Sequence, residues 1–272
     1  MPYLSRIFVY PIKSLDGVAL TKAKVLKSGA LEHDRELAIF DESGQFLNGK
    51  RNPKFHLLRT TFDFNSGTVC VQVQGTEQIQ VFHIDEERTG LEAWLSDYFG
   101  LQVQLQQNTL TGFPDDTEAS GPTVISTGTL ETVASWFPGL EVDLNPATDE
   151  MRRRLRANIE IEGVPAFWED QLFAEQQTEF VQFQVGSVLF EGINPCQRCV
   201  VPTRDSLTGK VYPEFQKIFL KKRKETLPEW APLSRFNHFF RLSVNTRIPE
   251  SEAGKILQVG DEVKIYGVSS RK

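Results

Sequence analysis

Cysteine is scarce in this chain: 272 residues hold three, Cys70, Cys196 and Cys199. Three thiols cannot build the disulfide framework of a small secreted domain, so reduced cysteines and a cytoplasmic setting are the expectation. Long apolar runs are missing too; no stretch of about 18 apolar residues is present, so no membrane span is expected. The N-terminal MPYLSRIFVYPIKS has no basic start, apolar middle or small-residue cleavage site, and it alternates like a strand rather than a signal peptide. A basic excess is lacking: the net charge is −6 and the pI about 5.4, which argues against a nucleic-acid partner. No GxGxxG follows a strand pattern and no four-cysteine spacing fits an iron–sulfur cluster, so neither a dinucleotide pocket nor a second redox centre is expected. Fixed repeats and low-complexity tracts are absent as well.

What is present is ordinary globular sequence, 40% hydrophobic and 24% charged, long enough for one large domain or two small ones. Strands are expected at Leu4–Val9, Leu37–Phe40, Thr68–Val73 and Ile79–Phe82, where apolar residues alternate or cluster between turn residues. In LEAWLSDYFG the period changes, and Leu91, Trp94, Leu95 and Tyr98 predict a helix ended by Gly100. The polar stretch Gln106–Gly121 reads as a boundary. Beyond it come a strand at Pro122–Ile125, a helix at Thr129–Phe137 capped near Ser126 or Thr127, and alternation within Arg152–Ile161. Two strands are expected around Gly186-Ser187, a basic helix at Phe215–Lys224, and closing strands at Phe239–Val244 and Leu257–Tyr266, the last split by Gly260-Asp261. The fold class is mostly β with some helices (α+β), in two β-rich units.

The stretch Asn194–Gly209, NPCQRCVVPTRDSLTG, concentrates two of the three cysteines. A structural zinc site needs four ligands, and Cys70 with the scattered His33, His56, His83 and His238 offers no second pair at finger spacing. A redox dithiol should open a helix, whereas VVPT is poor helix material. Buried, inert cysteines remain an alternative. Arg198 beside Cys199 favours thiolate, the form a metal binds.

PCQRCVVPTRDSLTG resembles the signature of the MOSC family, named after the C-terminal domain of molybdenum cofactor sulfurases. The resemblance runs through YPIKSLDG (Tyr10–Gly17), HDR (His33–Arg35), the WLS helix, LRANI (Leu155–Ile159) and VGDEV (Val259–Val263). It extends to the two-part form typified by the mitochondrial amidoxime reducing component and its bacterial relatives. It implies an N-terminal β-barrel-like domain over 1–105 and a MOSC β-barrel domain that binds molybdenum cofactor over 115–270; pyridoxal phosphate is not expected. By that resemblance Cys199 ligates molybdenum (Mo-molybdopterin), which a soft thiolate suits, and Cys196 is structural. Lys13 and Ser14 match a phosphate-side pair, Arg35 and Arg156 match cofactor-binding arginines, and Ser120, Asn158, Gln197 and Arg198 fall near the cofactor. Gln197, Pro165 and Phe239 depart from the family pattern, which has a small residue, an acid and a hydroxyl-bearing aromatic near those places.

The implied activity is that of a molybdenum-dependent oxidoreductase reducing N-hydroxylated compounds such as amidoximes and hydroxylamines. The alternative implied by the sulfurases is a cofactor-binding or sulfur-carrier module without turnover. Electrons are expected from a separate ferredoxin, flavoprotein or cytochrome, since the chain stops at Lys272 where some bacterial relatives continue into a ferredoxin-like domain. The run KKRK (Lys221–Lys224) reads as a solvated helix face, with docking of an acidic donor the sharper alternative.

Overall fold

Period-two patterning becomes strand wherever one face can be buried. In TVCVQV, Val69 and Val71 are buried while Cys70 and Gln72 face outward. The computed structural model describes residues 1–140 and 146–270, and over these the protein is mostly β with four helices. The first segment holds β1 (Tyr3–Val9), β2 (Val18–Leu20), β3 (Lys22–Lys24), β4 (Leu37–Asp41), β5 (Leu58–Asp63), β6 (Thr68–Val73), β7 (Ile79–His83), α1 (Arg88–Phe99) and β8 (Val103–Gln107). The second holds β9 (Val124–Ser126), α2 (Thr127–Ser135), α3 (Ala147–Leu155), β10 (Ile159–Glu162), β11 (Glu179–Val185), β12 (Val188–Gln197), α4 (Phe215–Glu225), β13 (Arg241–Arg247), β14 (Ile256–Gln258) and β15 (Val263–Ser270).

Eight strands form one sheet in the order β15-β11-β12-β13-β9-β10-β1-β2. A bridge between Tyr3 and Glu262, flanked by Leu4 N–H to Asp261 O at 2.8 Å, joins β1 to the start of β15 and closes the sheet on itself. The contact covers the edge at the start of β15, while β2 stands at the other end of the strand order. The first segment therefore supplies strands to the second: β1 pairs antiparallel with β10, and β3 pairs with β14. The core inside this barrel mixes both segments, with Leu4, Ile7 and Val9 beside Ile159, Ile161, Phe183, Phe190 and Val244. A separate core belongs to residues 12–105, where β4–β8 and β5-β6-β7 pack with Leu91, Leu95 and Phe99 of α1. A third, aromatic core joins α2, α3 and α4 through Leu130, Phe137, Met151, Phe215 and Phe219.

Local chemistry explains the element ends. Gly100 ends α1 in the left-handed region (φ +74), its N–H donating to Ser96 O at 2.8 Å. Ser126 caps α2 by accepting from Thr129 N–H at 3.2 Å. Gly186, at φ +56, makes the two-residue turn between β11 and β12. The alternation expected within Arg152–Ile161 falls on strand only at Ile159–Ile161, in β10; Arg152–Leu155 is instead the last turn of α3. The helix wins because Met151 and Leu155 reach the core one turn apart, and Glu150 pairs with Arg154 at the same spacing. Arg156 then ends it at φ +54, donating its N–H to Arg152 O at 2.9 Å.

Candidate functional site

A cleft of about 1390 Å³ lies where the two segments meet. Its walls come from the end of β1, the Lys13–Gly17 turn, Arg35, the Asn48–His56 stretch, Pro114–Thr123, Arg152–Arg156 and the whole run Ile193–Cys199. These pieces are distant in sequence and meet because β1 is threaded into the second segment's sheet beside β10.

Of the expected site residues, Lys13, Ser14, Arg35, Arg156, Gln197, Arg198 and Cys199 line this cleft. Ser120 does not: its hydroxyl donates to Ser28 O at 2.9 Å, while its neighbours Ala119 and Gly121 form the wall. Asn158 is buried behind the wall. Its Nδ2 donates to Phe8 O at 3.0 Å, and its Oδ1 accepts from Thr123 N–H at 3.1 Å and Arg35 Nη2 at 3.2 Å. On a strand Asn158 would share a face with Arg156, two residues before it; Arg156 is a left-handed helix end, so strand parity does not apply. Asn158 reaches the cleft only by positioning Arg35.

Backbone strain clusters here. Ser14, Arg35 and Arg156 are non-glycine residues at φ +75, +51 and +54, and all three line the cleft. Such conformations cost of order 1–3 kcal/mol each and persist where the surroundings over-determine them. Arg35 is over-determined: its N–H donates to Tyr10 O at 2.8 Å, and its guanidinium binds Asp34, whose Oδ1 accepts Tyr10 N–H at 3.0 Å. Arg156 lies over the Tyr10 ring at 4.1 Å and makes no side-chain hydrogen bond among the described residues. Burial pushes the Tyr10 hydroxyl up to about 12, against the opposing pull of Arg156. Lys13 Nζ donates to Phe113 O at 2.9 Å and pairs with Asp115 at 3.2 Å; burial lowers its pKa. Burial alone would raise the Asp115 carboxyl, but Lys13, Lys50 and Arg35 hold it at about 2.

Cys196 lies in the last turn-ward residues of β12, where pairing with β13 slips between Pro195 and Gln197. A bulge of this kind re-aims side chains. Cys199 follows directly, before the short helical turn Val201–Thr203. Arg198 donates to Cys196 Sγ and to Ser243 Oγ, each at 3.4 Å, and to Leu155 O; its buried Nε has no partner among the described residues. Among the described residues no cluster of three or more His, Cys, Asp or Glu could hold a metal, so a metal at Cys199 would need donors from a non-protein group.

Sequence reasoning missed a second set of wall residues: His56, Arg59, Arg204, Arg235 and Arg241. Arg204 sits inside the quoted cysteine segment; the others carry no local motif. Buried, orphaned polar atoms mark this wall, namely His56 Nε2, Arg59 Nε and Arg198 Nε. Buried polar groups normally find partners. Arg156, Arg198, Arg204, Arg235 and Arg241 have no carboxylate partner among the described residues. A wall with surplus cations, unused N–H donors and a thiol fits an anionic, phosphate-bearing group that also offers a metal.

The sequence of the MOSC N-terminal beta barrel domain family matches residues 1–109, and that of the MOSC domain family matches residues 124–264. The molybdenum cofactor sulfurase of Homo sapiens is 24% identical, covering 76% of this chain and 27% of the sulfurase. The sulfurase of Oryza sativa subsp. japonica is 24% identical over 96% of this chain and 35% of its own length. Mitochondrial amidoxime reducing component 2 of Macaca fascicularis is 24% identical over 76% of this chain and 68% of its own length. The chain thus spans about a third or less of the sulfurases' length.

Proposed function

The chain belongs to the MOSC domain family, and from that premise we propose that it binds molybdenum cofactor and reduces N-hydroxylated compounds with electrons from a separate donor protein. The observation that carries the reading is the Cys199 thiol on the wall of a cleft whose remaining walls hold uncompensated arginines and orphaned N–H groups. Cys199 would be the protein's thiolate ligand. Lys13, Ser14, Arg35 and Arg156 would hold the pterin and its phosphate, and Asn158 would fix Arg35. Arg198 would keep the cysteine segment in place and supply its free Nε–H to the bound group. When bound, the cofactor supplies two-electron oxygen-transfer chemistry that no side chain offers. The overall change takes N–OH, two electrons and two protons to N–H and water.

A second reading, a sulfur-carrying module without turnover, draws on Cys196, whose Sγ lies 3.4 Å from Arg198 Nη1 on the cleft wall.

The test is metal and pterin analysis of the purified holo-protein, followed by benzamidoxime reduction with a reduced viologen. Wild type and Cys196→Ala should retain molybdenum and activity, and Cys199→Ala should lose activity. Persulfide on Cys196 or Cys199 without any amidoxime turnover favours the second reading. An active Cys199→Ala protein would sink the ligand assignment.

A further inference from the structure

On the flank of the cleft beside Cys196 the wall consists of Asn194, Gln177, Ser234, Arg235, Asn237 and Arg241. Two of these are arginines, and neither has a carboxylate partner among the described residues. Arg241 donates to Pro195 O at 2.9 Å and, through Nε and Nη2, to Asn237 Oδ1 at 3.1 and 2.9 Å. Arg235 donates to Ile193 O at 2.9 Å, Gln176 O at 3.4 Å and Ala174 O. Ile193 and Pro195 lie on β12 immediately before Cys196, so both guanidinium groups are pinned to the strand that carries the thiol. A guanidinium has five N–H donors; with three contacts apiece, each keeps two to spare.

A purely structural role accounts for the carbonyl contacts but not for the charge. Burial, and then the proximity of Arg241, lowers the pKa of Arg235, and burial also lowers that of Arg241. Among the described residues the two like charges have no carboxylate partner, only the Cys196 thiol opposing burial at Arg241, and like charges held together favour a bound anion. Asp116, the carboxylate on that side, is engaged by the Asn194 and Asn245 amides at 3.3 and 3.1 Å. Spare donors on rigid planar forks suit the two oxygens of a carboxylate.

We propose that Arg241 and Arg235 together form a carboxylate site beside the cysteine segment, so that the protein selects N-hydroxylated substrates that carry a carboxylate. The proposal rests on the reductase reading for the substrate's reacting end and on these two arginines for its other end. They are specificity residues.

The test has a binding arm and a turnover arm, both on the full chain. In the first, the protein is titrated calorimetrically with 4-amidinobenzoate and with benzamidine. Wild type should bind the carboxylate compound about tenfold or more tightly, the scale of one charge-assisted hydrogen-bond pair. That preference should fall toward one in Arg241→Gln and in Arg235→Gln, and Arg241→Lys should keep part of it; melting curves check that each variant is folded. Equal binding in wild type overturns the proposal, as does a preference that survives in both glutamine variants. In the second arm, kcat/KM for 4-carboxybenzamidoxime is compared with that for benzamidoxime using a reduced viologen. A wild-type ratio near one with good turnover overturns the carboxylate site and leaves the reductase reading. Turnover of neither compound, with the binding preference present in wild type and lost in the variants, supports the carboxylate site and overturns the reductase reading.

Discussion

The wall of arginines should be visible in a single imidazole. His56 sits in the helical turn Pro53–Leu57 on the cleft wall, 9% exposed. Burial, followed by the fields of Arg204, Arg156, Arg59 and Arg154, pushes its pKa down to about 4. An unfolded histidine titrates near 6.5. Between about 6.5 and about 4 the unfolded chain therefore binds a proton that the folded chain refuses, and folding stability falls as the pH falls through that window. At about 1.4 kcal/mol per pH unit, the full loss is ~3 kcal/mol once the pH reaches about 4. Replacing the ring with an uncharged amide, His56→Gln, should remove that component. The assay is urea denaturation at pH 7 and pH 4.5, with the pH-dependent difference compared between wild type and variant. Since the carboxylates titrate alike in both proteins, their contribution cancels to first order.

The same group offers a direct readout by NMR. The His56 ring protons should titrate with a midpoint near 4. Arg204→Gln, which removes the largest of the four fields, should move the midpoint upward, and so should inorganic phosphate if the cleft admits it. A midpoint within half a unit of 6.5, or a His56→Gln protein with unchanged pH dependence, would refute the reading that burial and the neighbouring arginines keep this imidazole neutral.

Other groups give independent tests. If the cleft holds a pterin as proposed, Arg156→Ala should retain it about tenfold less well after dialysis, measured by fluorescence of the released pterin, since one or more charge-assisted hydrogen bonds of about 1.5–3 kcal/mol would go. Glu169 is buried against Thr129 and beside Asp170, and burial with that neighbouring charge raises its carboxyl to about 7. Its folded pKa lies above its unfolded one, so the stability it contributes is present below about 4.5 and lost as pH rises through about 7; Glu169→Gln should flatten that loss in denaturation curves. Arg223→Leu should cost about 3–5 kcal/mol by leaving Asp170 buried without its partner, and adding Asp170→Leu should recover much of it. A cost below about 1 kcal/mol in the single variant would show that Asp170 finds another partner.

Strands with clean alternation and glycine ends were legible in the sequence; β6 and the β11–β12 hairpin stand where the pattern puts them. The missed strands have physical reasons. In β5 the core side carries Thr60 beside Leu58, so a polar residue interrupts the apolar period. β2 and β3 are three residues each and exist through pairing with β1 and β14, information held far away in the chain. The family motifs in YPIKS, HDR and CxRC pointed to the cleft because those segments carry its left-handed turns and its thiols. His56, Arg59, Arg235 and Arg241 were not legible, because only the threading of β1 through the second sheet brings their segments to one place.

The run KKRK shows why charge must be read with its partners. On sequence alone it is a dense basic run that reads as a solvated helix face, with docking of an acidic electron donor the sharper alternative. In the structure Arg223 points inward, fully buried against Asp170 and the rings of Phe167 and Phe236, so it is no part of a docking face. Lys221 and Lys222 both lean toward Glu225, at 4.0 and 3.9 Å. Exposed pairs of this kind contribute little, and salt screens them beyond about 8 Å at physiological strength. The cleft is the reverse case. It gathers Arg156, Arg198, Arg204, Arg235 and Arg241, which have no carboxylate partner among the described residues, on a chain whose net charge is −6. Low-dielectric walls focus such a field outward through the cleft mouth. The attraction this protein exerts on anions is thus concentrated where Cys199 lies, and an acidic electron donor drawn by charge would be drawn toward the cleft rather than toward α4.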